Sequence, residues 1–425
     1  MTIGSEMHKL VEKLFPICRS ITGEGVRSTL KLIKEEIPEL NILSVPSGHQ
    51  AFDWTVPKEW NIKDAYVMNE QGEKVIDFNK NNLHVVGYSQ KVDAKLSLDE
   101  LLKKIHCLPE LPDAIPYVTS YYSDYWGFCL SYNDMKRLTP GEYHVVIDAT
   151  HSHGELNYGE LILPGETKEE VLLSTYVCHP SMANNELSGP VVTTYLVKWL
   201  KNLPTRKYTY RIVLIPETIG SVVYIHKNLH HLKKNVVAGY IVTCVGDDRE
   251  YSFLPSRDGN TLSDKVARYV LKEIKPNYRS YSWLERGSDE RQYCAPGIDL
   301  PISTIMRTKY GEYPEYHTSL DDLNLVTPDG LEGGYNALRK ALELLEKNFR
   351  PLVTVLCEPQ LGKRGLYPNL STIESQEKVI KMLNLLSYCD GKNTVLDIAL
   401  LIDCSADEVV EMLQPMISNG LVSVM

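Results

Sequence analysis

The chain has 425 residues, 43% of them hydrophobic and 24% charged, and a formal net charge of −10. This length exceeds one ordinary hydrophobic core, so two or three domains are expected. The acidic balance lacks the positive charge that nucleic-acid binding requires, and no window approaches the run of about eighteen apolar residues that a membrane span needs. The nine cysteines are scattered without a Cys-x-x-Cys pair, which argues against a disulfide framework and a thiolate zinc site.

The first segment, residues 5–37, places apolar residues at helical spacing on either side of a break that contains proline and glycine. This pattern predicts two helices. The amino-terminal residues show neither a basic leader nor an apolar secretory core, so we expect a cytoplasmic protein.

Between residues 52 and 163 the pattern changes to short β-type runs, among them KVIDF and YHVVIDA, which are separated by turns of Gly, Asn, Asp and Pro. We predict an inserted β-rich domain over 52–163. The surrounding residues, 1–51 and 164–352, then form a second domain.

In that second domain, strand-like and helix-like segments alternate. The predicted strands are EEVLLSTYVCHP, YTYRIVLIPE, VVAGYIVTCVGD and PISTIMRT, and the predicted helices are GPVVTTYLVKWLKNL, TLSDKVARYVLKEI and DGLEGGYNALRKALELLEKNF. Continuous β-branched runs between amphipathic helices predict an α/β fold whose sheet is covered by helices on both faces. Ligands of such sheets bind beyond the carboxyl ends of the strands.

The last segment, 363–425, predicts three amphipathic helices followed by a short apolar strand, an arrangement typical of a winged-helix domain. It contains five Lys and Arg residues against eight Asp and Glu residues, a net charge of −3. DNA binding is therefore the weakest interpretation, and a module for packing or partner docking is favoured.

Four clusters of polar side chains stand at or just after predicted strand ends. They are His179 with Asn184, Asn185 and Glu186; Glu217; Asp247 with Asp248; and His317. A catalytic zinc site needs imidazole and carboxylate ligands from separate strands and an open position for water. It also needs a general base within reach of that water, for which Glu217 is the leading candidate.

Each cluster also has a purely structural interpretation. Residues 184–186 could cap a helix, and the paired aspartates could be solvated turns. The occurrence of all four clusters in one domain, at the places where α/β sheets bind ligands, favours a metal site.

Five motifs occur in a recognisable order: VCHPSMANNELSG, IPETIGS, CVGDD, SDERQYCAPGIDLP and YHTSLDDL. They resemble the zinc-dependent aminopeptidase superfamily, which includes the glutaminyl cyclases. The chain is most similar to bacterial aminopeptidase-like proteins of unknown function that carry an inserted β domain and a winged-helix tail. The resemblance covers nearly the whole chain and implies a mixed sheet and a context of surface-polysaccharide or other specialised biosynthesis.

The resemblance also implies a two-zinc site, in which His179 matches the first histidine and His317 the last. Three positions depart from it: Asn185 replaces a bridging aspartate, Glu217 stands alone where two glutamates are usual, and Thr243 aligns with a metal-binding aspartate. Two dications about 3.5–4 Å apart repel strongly without a shared carboxylate, so we expect one zinc ion.

The ligand set that we predict is His179, Glu186 and His317, with Asp247 reaching back as a further ligand. Glu217 acts either as the general base or as one more ligand.

Arginines and tyrosines cluster around the segments SDE, residues 288–290, and MRT, residues 306–308. An arginine recognises a carboxylate or phosphate through two hydrogen bonds. An acidic end on the substrate is therefore expected, although the arginines could instead pair with neighbouring acids to hold loops. The substrate-binding residues that we predict are Asn185, Asp289, Arg291, Arg307 and Tyr316.

The sequence thus predicts a metal-dependent hydrolase that cleaves an amide or peptide-like bond in a small, acidic substrate. The alternative is a catalytically silent ligand-binding protein that keeps the pocket and has lost the dinuclear metal site, as the changes at Asn185 and Thr243 would allow. Neither a nucleic acid nor a membrane is an expected partner, and a homo-oligomer is compatible with the small domains.

Overall fold

The computed structural model describes residues 2–366 and 373–425. In chain order, the helices are α1 (Ile3–Leu14), α2 (Glu24–Glu36), α3 (Leu98–Leu102), α4 (Tyr132–Met135), α5 (Ser188–Lys201), α6 (Ile219–Asn235), α7 (Leu262–Ile274), α8 (Glu290–Tyr293), α9 (Pro328–Lys347), α10 (Ile373–Ser387), α11 (Val395–Leu401) and α12 (Ala406–Ser418). The chain divides into two compact units, Met1–Arg339 and Lys340–Met425. None of the helices among the described residues is long and apolar enough to cross a bilayer.

The strands are β1 (Asn41–Pro46), β2 (Gln50–Ala51), β3 (Trp54–Thr55), β4 (Glu59–Met68), β5 (Lys74–Asp77), β6 (Val92–Ser97), β7 (Ile105–His106), β8 (Phe128–Cys129), β9 (Glu142–Ser152), β10 (Glu155–Leu163), β11 (Glu170–Tyr176), β12 (Thr209–Ile215), β13 (Val236–Ile241), β14 (Ser252–Leu254), β15 (Arg279–Ser280), β16 (Ile302–Met306), β17 (Pro351–Val353) and β18 (Val422–Val424).

A mixed sheet of eight strands forms the core of the first unit, in the order β1-β10-β12-β11-β13-β16-β14-β15. The central strands β12, β11, β13 and β16 are parallel, and every residue of β11 is buried. The connections β11–α5–β12 and β12–α6–β13 step across the sheet in opposite directions. Right-handed crossovers therefore place α5 and α6 on opposite faces, which confirms the predicted α/β fold with helices on both faces.

Helix α6 is missing from the predicted series of elements. It follows strand β12 directly, and its sequence mixes buried residues with histidines and lysines. Its apolar face is correspondingly less distinct than that of α7, so the spacing of its hydrophobic residues predicts a helix only weakly.

The inserted β-rich region is present, but its predicted boundary at residue 163 is wrong. An antiparallel sheet of four strands, in the order β5-β4-β9-β6, is accompanied by the short pairs β2–β3 and β7–β8. Strand β10 instead lies in the large sheet, between β1 and β12. Nothing local distinguishes β10 from the strands before it, since only long-range pairing decides which sheet a strand joins.

The second unit contains the predicted three helices and the short strand at the end of the chain. Strand β18 pairs with β17, so the domain begins before residue 363, where the prediction placed its start. Helices α11 and α12 both begin with a capping box, formed by Thr394 with Asp397 and by Ser405 with Glu408. Residues 367–372 of the predicted domain lie outside the described residues.

Gly189 allows helix α5 to begin directly against the large sheet. A Cβ atom at this position would lie 2.2 Å from the Val242 carbonyl oxygen and 2.4 Å from Thr175 Oγ1. We expect G189A to lower the free energy of unfolding by about 1–3 kcal/mol, because helix or strand must shift. Urea unfolding measures this, with G141A as the control, since a Cβ at Gly141 meets only a Glu70 side chain at 3.4 Å. Equal stability of the two variants would contradict the close approach.

Candidate functional site

His179 lies at the centre of the site, three residues after the end of strand β11 and 5% exposed. Its Nδ1 atom lies 2.7 Å from Glu186 Oε2, and its Nε2 atom lies 3.5 Å from Glu217 Oε2. The two carboxylates therefore approach the imidazole from opposite ends. A metal ion at Nε2 would have Glu217 beside it, whereas an ion at Nδ1 would have Glu186.

The surroundings of His179 favour a charged imidazole. Burial alone would lower the pKa of His179, but Cys178 and Glu186 raise that pKa well above its usual value. Burial raises the pKa of the Cys178 thiol to about 11, so Glu186 supplies the negative charge at neutral pH. Arg19 is also buried here, with Nε donating to the His179 carbonyl at 2.9 Å and lying 3.7 Å from Glu186 Oε1.

Glu186 is held in place by a turn that leads into helix α5. The turn, Ala183–Leu187, is one short π-helical segment in which all five residues are buried. The backbone N–H groups of Asn184 and Asn185 donate to the two carboxylate oxygens of Asp321, at 2.5 and 3.0 Å. The Tyr313 hydroxyl donates to the same carboxylate at 3.0 Å. Asp321 thus fixes the turn, although its burial raises the pKa to about 6.

The two predicted histidines lie close together, as the metal-site prediction requires. The ring centroids of His179 and His317 are 5.5 Å apart, and Tyr117 of the inserted region lies edge-on to both, at 5.1 and 5.2 Å. The Tyr117 N–H donates to the His317 carbonyl at 2.9 Å. Nε2 of His317 is buried and has no hydrogen-bond partner within the described residues. Burial and the charge of His179 lower the pKa of His317 to about 3, so this imidazole is neutral.

Glu217 lies between strand β12 and helix α6, where Asp289 holds the backbone. The Thr218 N–H and the Ser221 hydroxyl both donate to Asp289 Oδ1 at 2.8 Å, and the Glu217 N–H donates to Cys178 Sγ at 3.3 Å. Burial raises the pKa of Glu217. Burial and the Glu217 charge raise the pKa of Asp289 to about 7. Asp289, predicted to bind substrate, therefore positions the Glu217 turn.

Asp247, which the sequence predicts to be a further metal ligand, is hydrogen-bonded to protein groups through both carboxylate oxygens. Its Oδ1 accepts hydrogen bonds from the Thr308 hydroxyl at 2.7 Å and the Arg249 N–H at 3.0 Å. Its Oδ2 accepts from the Thr308 N–H at 2.9 Å and the Asn184 side-chain amide at 3.2 Å. Through these four bonds the carboxylate holds two loops together, so Asp247 is not assigned to the metal site.

Asn185 and Thr243, which stand where the resemblance places metal-binding aspartates, are both hydrogen-bonded to Tyr176, while Asn185 Oδ1 is buried and has no hydrogen-bond partner among the described residues. The Asn185 amide donates to the Tyr176 hydroxyl at 2.9 Å. That hydroxyl lies 2.5 Å from Thr243 Oγ1, which donates to the Asn185 carbonyl at 3.0 Å. Asn185, predicted to bind substrate, is 2% exposed and does not line the cavity.

Arg307, also predicted to bind substrate, lies outside the cavity as well. Its guanidinium stacks on Tyr251 at 4.0 Å, and a Cβ on Gly333 would lie 2.0 Å from Nη1, so the side chain packs against helix α9. Tyr316 stacks on His317 with centroids 3.9 Å apart, which orients the ring without lining the cavity. Arg291 does line it, and its Nη2 donates to the Thr218 hydroxyl at 2.7 Å.

The cavity beside the histidines has a volume of about 380 Å³. It is lined by Ile21, Trp54, Tyr117, Thr119, Tyr121, Tyr122, Cys178, His179, Glu217, Thr218, Ile219, Arg291, Gln292 and His317. The aromatic wall comes entirely from the inserted region, whereas His179, Glu217 and His317 come from the loops after central strands and Arg291 comes from helix α8. The inserted region is therefore part of the site.

Several residues of this site were not assigned from the sequence, among them Cys178, Asp321 and Tyr117. Cys178 forms, with His179 and Glu186, a group whose ligand atoms all lie within 4.8 Å of one another. Cys178 could have been found from the sequence because it directly precedes His179. Asp321 could have been found because it ends a T-x-x-D pattern, residues 318–321, that directly follows His317. Tyr117 carried no signal, because the inserted region contains no recognisable chemical motif.

The fold and the site together define an aminopeptidase-like α/β protein with a carboxyl-terminal winged-helix domain. The chain belongs to the family described as a domain of unknown function (DUF4910), whose model matches residues 8–348, and a winged helix-turn-helix model matches residues 350–424.

Solved structures and a curated relative agree with this assignment. A protein of Clostridium acetobutylicum, provisionally named a polysaccharide biosynthesis protein with an aminopeptidase-like domain, is 46% identical over 93% of this chain and 91% of its own length. A crystal structure of a provisionally named peptidase from the same organism has a TM-score of 0.92 and 43% identity, covering 99% of this chain and 96% of that one. The zinc aminopeptidase BSAP of Bacillus subtilis, 12% identical, has a TM-score of 0.57 over 80% of this chain and 94% of that chain, which shows a shared fold.

The support that Asp321 gives to the turn can be tested directly. We expect D321N to lower the free energy of unfolding at pH 7 by about 2 kcal/mol, because one acceptor for buried N–H groups becomes a donor. The adjacent D322N is the matched control and should cost at most about 1 kcal/mol, since its remaining carbonyl oxygen can still accept. Chemical denaturation measures both, and equal losses would show that Asp321 does not hold the turn.

Proposed function

We propose that the chain is a hydrolase that cleaves an amide bond with the help of one divalent metal ion, zinc being the best candidate. The observation that carries the proposal is the convergence of His179, His317 and Glu217 on one cavity at the carboxyl ends of the central strands. In α/β sheets this edge is where ligands bind.

The donor types suit a single ion held by the Nε2 atoms of His179 and His317, whose rings lie 5.5 Å apart, although among the described residues only Cys178, His179 and Glu186 bring three ligand atoms within 4.8 Å of one another. His317 offers a buried, unpartnered nitrogen on a neutral ring, which is the state a metal needs. Glu186 holds Nδ1 of His179, as carboxylates behind metal-bound histidines do, so we assign Glu186 to orientation instead of ligation. We propose one ion instead of two, because Asn185 and Thr243 offer a neutral amide and a neutral hydroxyl in place of the two carboxylates that would offset the repulsion between two dications.

The group of Cys178, His179 and Glu186 is a poorer site for a cation. The Cys178 thiol is protonated at neutral pH, and the Arg19 guanidinium lies 3.7 Å from Glu186. A metal ion there would have to displace the proton and would be repelled by Arg19.

Zinc supplies, when bound, a polarised carbonyl and a more acidic water. The remaining chemistry belongs to the chain. Glu217 accepts the proton of the attacking water at Oε2, the oxygen that faces His179, and its raised pKa suits this role. Arg291, whose Nη2 lies 3.9 Å from Glu217 Oε1, is placed to bind an acidic group of the substrate. The name of the Clostridium relative supports a role in polysaccharide or other specialised biosynthesis.

A second candidate function is a ligand-binding protein without catalysis. It is favoured by the pairing of a protonated His179 with both Glu186 and Glu217, which satisfies the imidazole in the absence of any metal. Such a protein would bind its ligand in the same cavity, and its thermal stability would not change when metal is removed.

Replacing Glu217 separates the two functions. We expect E217Q, saturated with zinc, to lose at least about a hundredfold in kcat on an amide substrate while it keeps the metal, because the amide cannot accept the proton. Metal content by elemental analysis and the folded spectrum serve as the controls. Loss of zinc from E217Q would make Glu217 a ligand and overturn its role as the base.

Metal binding is expected to depend on pH. His179 carries a proton in the metal-free protein, so an ion at Nε2 must displace it, and the affinity for zinc should fall about tenfold for each unit of decreasing pH while that proton is held. Calorimetry in buffers of different protonation enthalpy should show about one proton released per ion. Strong chelators should also lower the melting temperature of the native protein. An unchanged melting temperature, with no zinc bound at pH 8, would favour the silent binding protein.

A further inference from the structure

A second cavity, of about 420 Å³, adjoins the site and is not used by the proposed reaction. It shares Trp54 and Gln292 with the site cavity. Asp53 is the one charged residue of its lining, and the other walls are mostly apolar, formed by Phe52, Val222, Ile225, Ala295, Pro296, Gly297 and Ile298.

The two cavities are consecutive parts of one cleft along helix α6. Ile219 lines the site cavity, whereas Val222 and Ile225 line the second one. These three residues follow one another at intervals of three, so each lies next to the previous one on the helix surface. With a rise of about 1.5 Å per residue, Ile225 lies about 9 Å along the axis from Ile219. A linear substrate could therefore occupy both cavities at once.

The β2–β3 hairpin contributes aromatic rings to both cavities. Trp54 belongs to both and lies edge-on to Tyr122 at 5.7 Å, while Phe52 lines the second cavity and lies edge-on to His226 at 5.0 Å. Phe52 has φ of +53° and is 53% exposed. A bulky side chain is rarely held in this left-handed conformation, and such strain is concentrated at ligand sites.

We propose that the second cavity binds an unbranched acyl chain of the amide substrate, an inference that rests on the proposed hydrolase function. The lining offers apolar area along the cleft but few polar groups. A sugar ring or a peptide backbone would leave hydroxyl or N–H groups unpaired there, at a cost in affinity that a hydrocarbon chain does not have.

Gln292 completes the recognition of the amide. Within the described residues its side-chain amide makes no hydrogen bond, and it lies where the two cavities meet. This is the position at which an acyl chain in the second cavity would join the polar amide group in the first. Its carbonyl and NH₂ groups can pair with both halves of that amide.

Binding of straight-chain primary amides, from butanamide to octanamide, tests the proposal on the full-length protein without requiring turnover. Calorimetry should show the affinity rising about fourfold for each added methylene until the cavity is filled. V222W, which fills the second cavity, should abolish this dependence. K227W, which places the same side chain at an exposed position of the same helix, should preserve it.

F52G provides an independent variant in case V222W does not fold. Glycine accepts the positive φ without strain and removes the exposed ring, so the dependence on chain length should weaken while the fold is kept. Equal affinities for all chain lengths would overturn the proposal. A dependence that persists unchanged in a folded V222W, or in F52G if V222W does not fold, would also overturn it. Tighter binding of N-acetylglucosamine than of octanamide would overturn it in favour of a sugar.

The proposed function and this inference fail separately. If the zinc-loaded protein hydrolyses no amide but its affinity for the primary amides still rises with chain length, the acyl-binding site is supported and the hydrolase function is contradicted. If it hydrolyses short and long N-acylglycines with equal kcat/KM, the hydrolase function is supported and the acyl-binding site is contradicted.

Discussion

The hydrogen bond between Glu186 and Nδ1 of His179 is the interaction on which the site depends. It fixes the orientation of the imidazole and directs Nε2 towards Glu217 and the cavity. Glu186 also stabilises the positive charge of the His179 imidazole. The positive charge of Arg19, which is buried beside it, would otherwise destabilise that charge. An imidazole held in this way can serve either as a cation paired with two carboxylates or, after losing its proton, as a metal ligand. Both functions considered for the protein follow from this one arrangement.

Each functional carboxylate is supported by another carboxylate that binds backbone. Asp321 accepts two N–H groups of the turn that carries Glu186, and Asp289 accepts the N–H that follows Glu217. Buried acids that receive several hydrogen bonds fix backbone more tightly than a loop could fix itself. The site is thus built in two layers, and the outer layer consists of the carboxylates of Asp321 and Asp289, which bind the backbone that carries Glu186 and Glu217.

This layering explains how much could be predicted from the sequence. Alternating strands and helices give the α/β fold, and the rule that ligands bind beyond strand ends leads to His179, Glu217 and His317. The sequence could not distinguish Asp247 from a ligand, because its four hydrogen bonds come from residues 61–63 positions away or from its own turn. Strand β10, Arg307 and Tyr117 were misplaced or missed for the same reason, since their partners are distant in the chain.

The link between Tyr117 and His317 has a consequence for how such proteins diversify. The Tyr117 N–H binds the His317 carbonyl, and the flanking residues Pro116 and Thr318 form a β-bridge. Two segments that are about 200 positions apart in the chain are thereby paired as short antiparallel neighbours. An inserted region exchanged between homologues would have to bring a compatible histidine loop with it, so natural recombination should transfer or retain these two pieces as a pair.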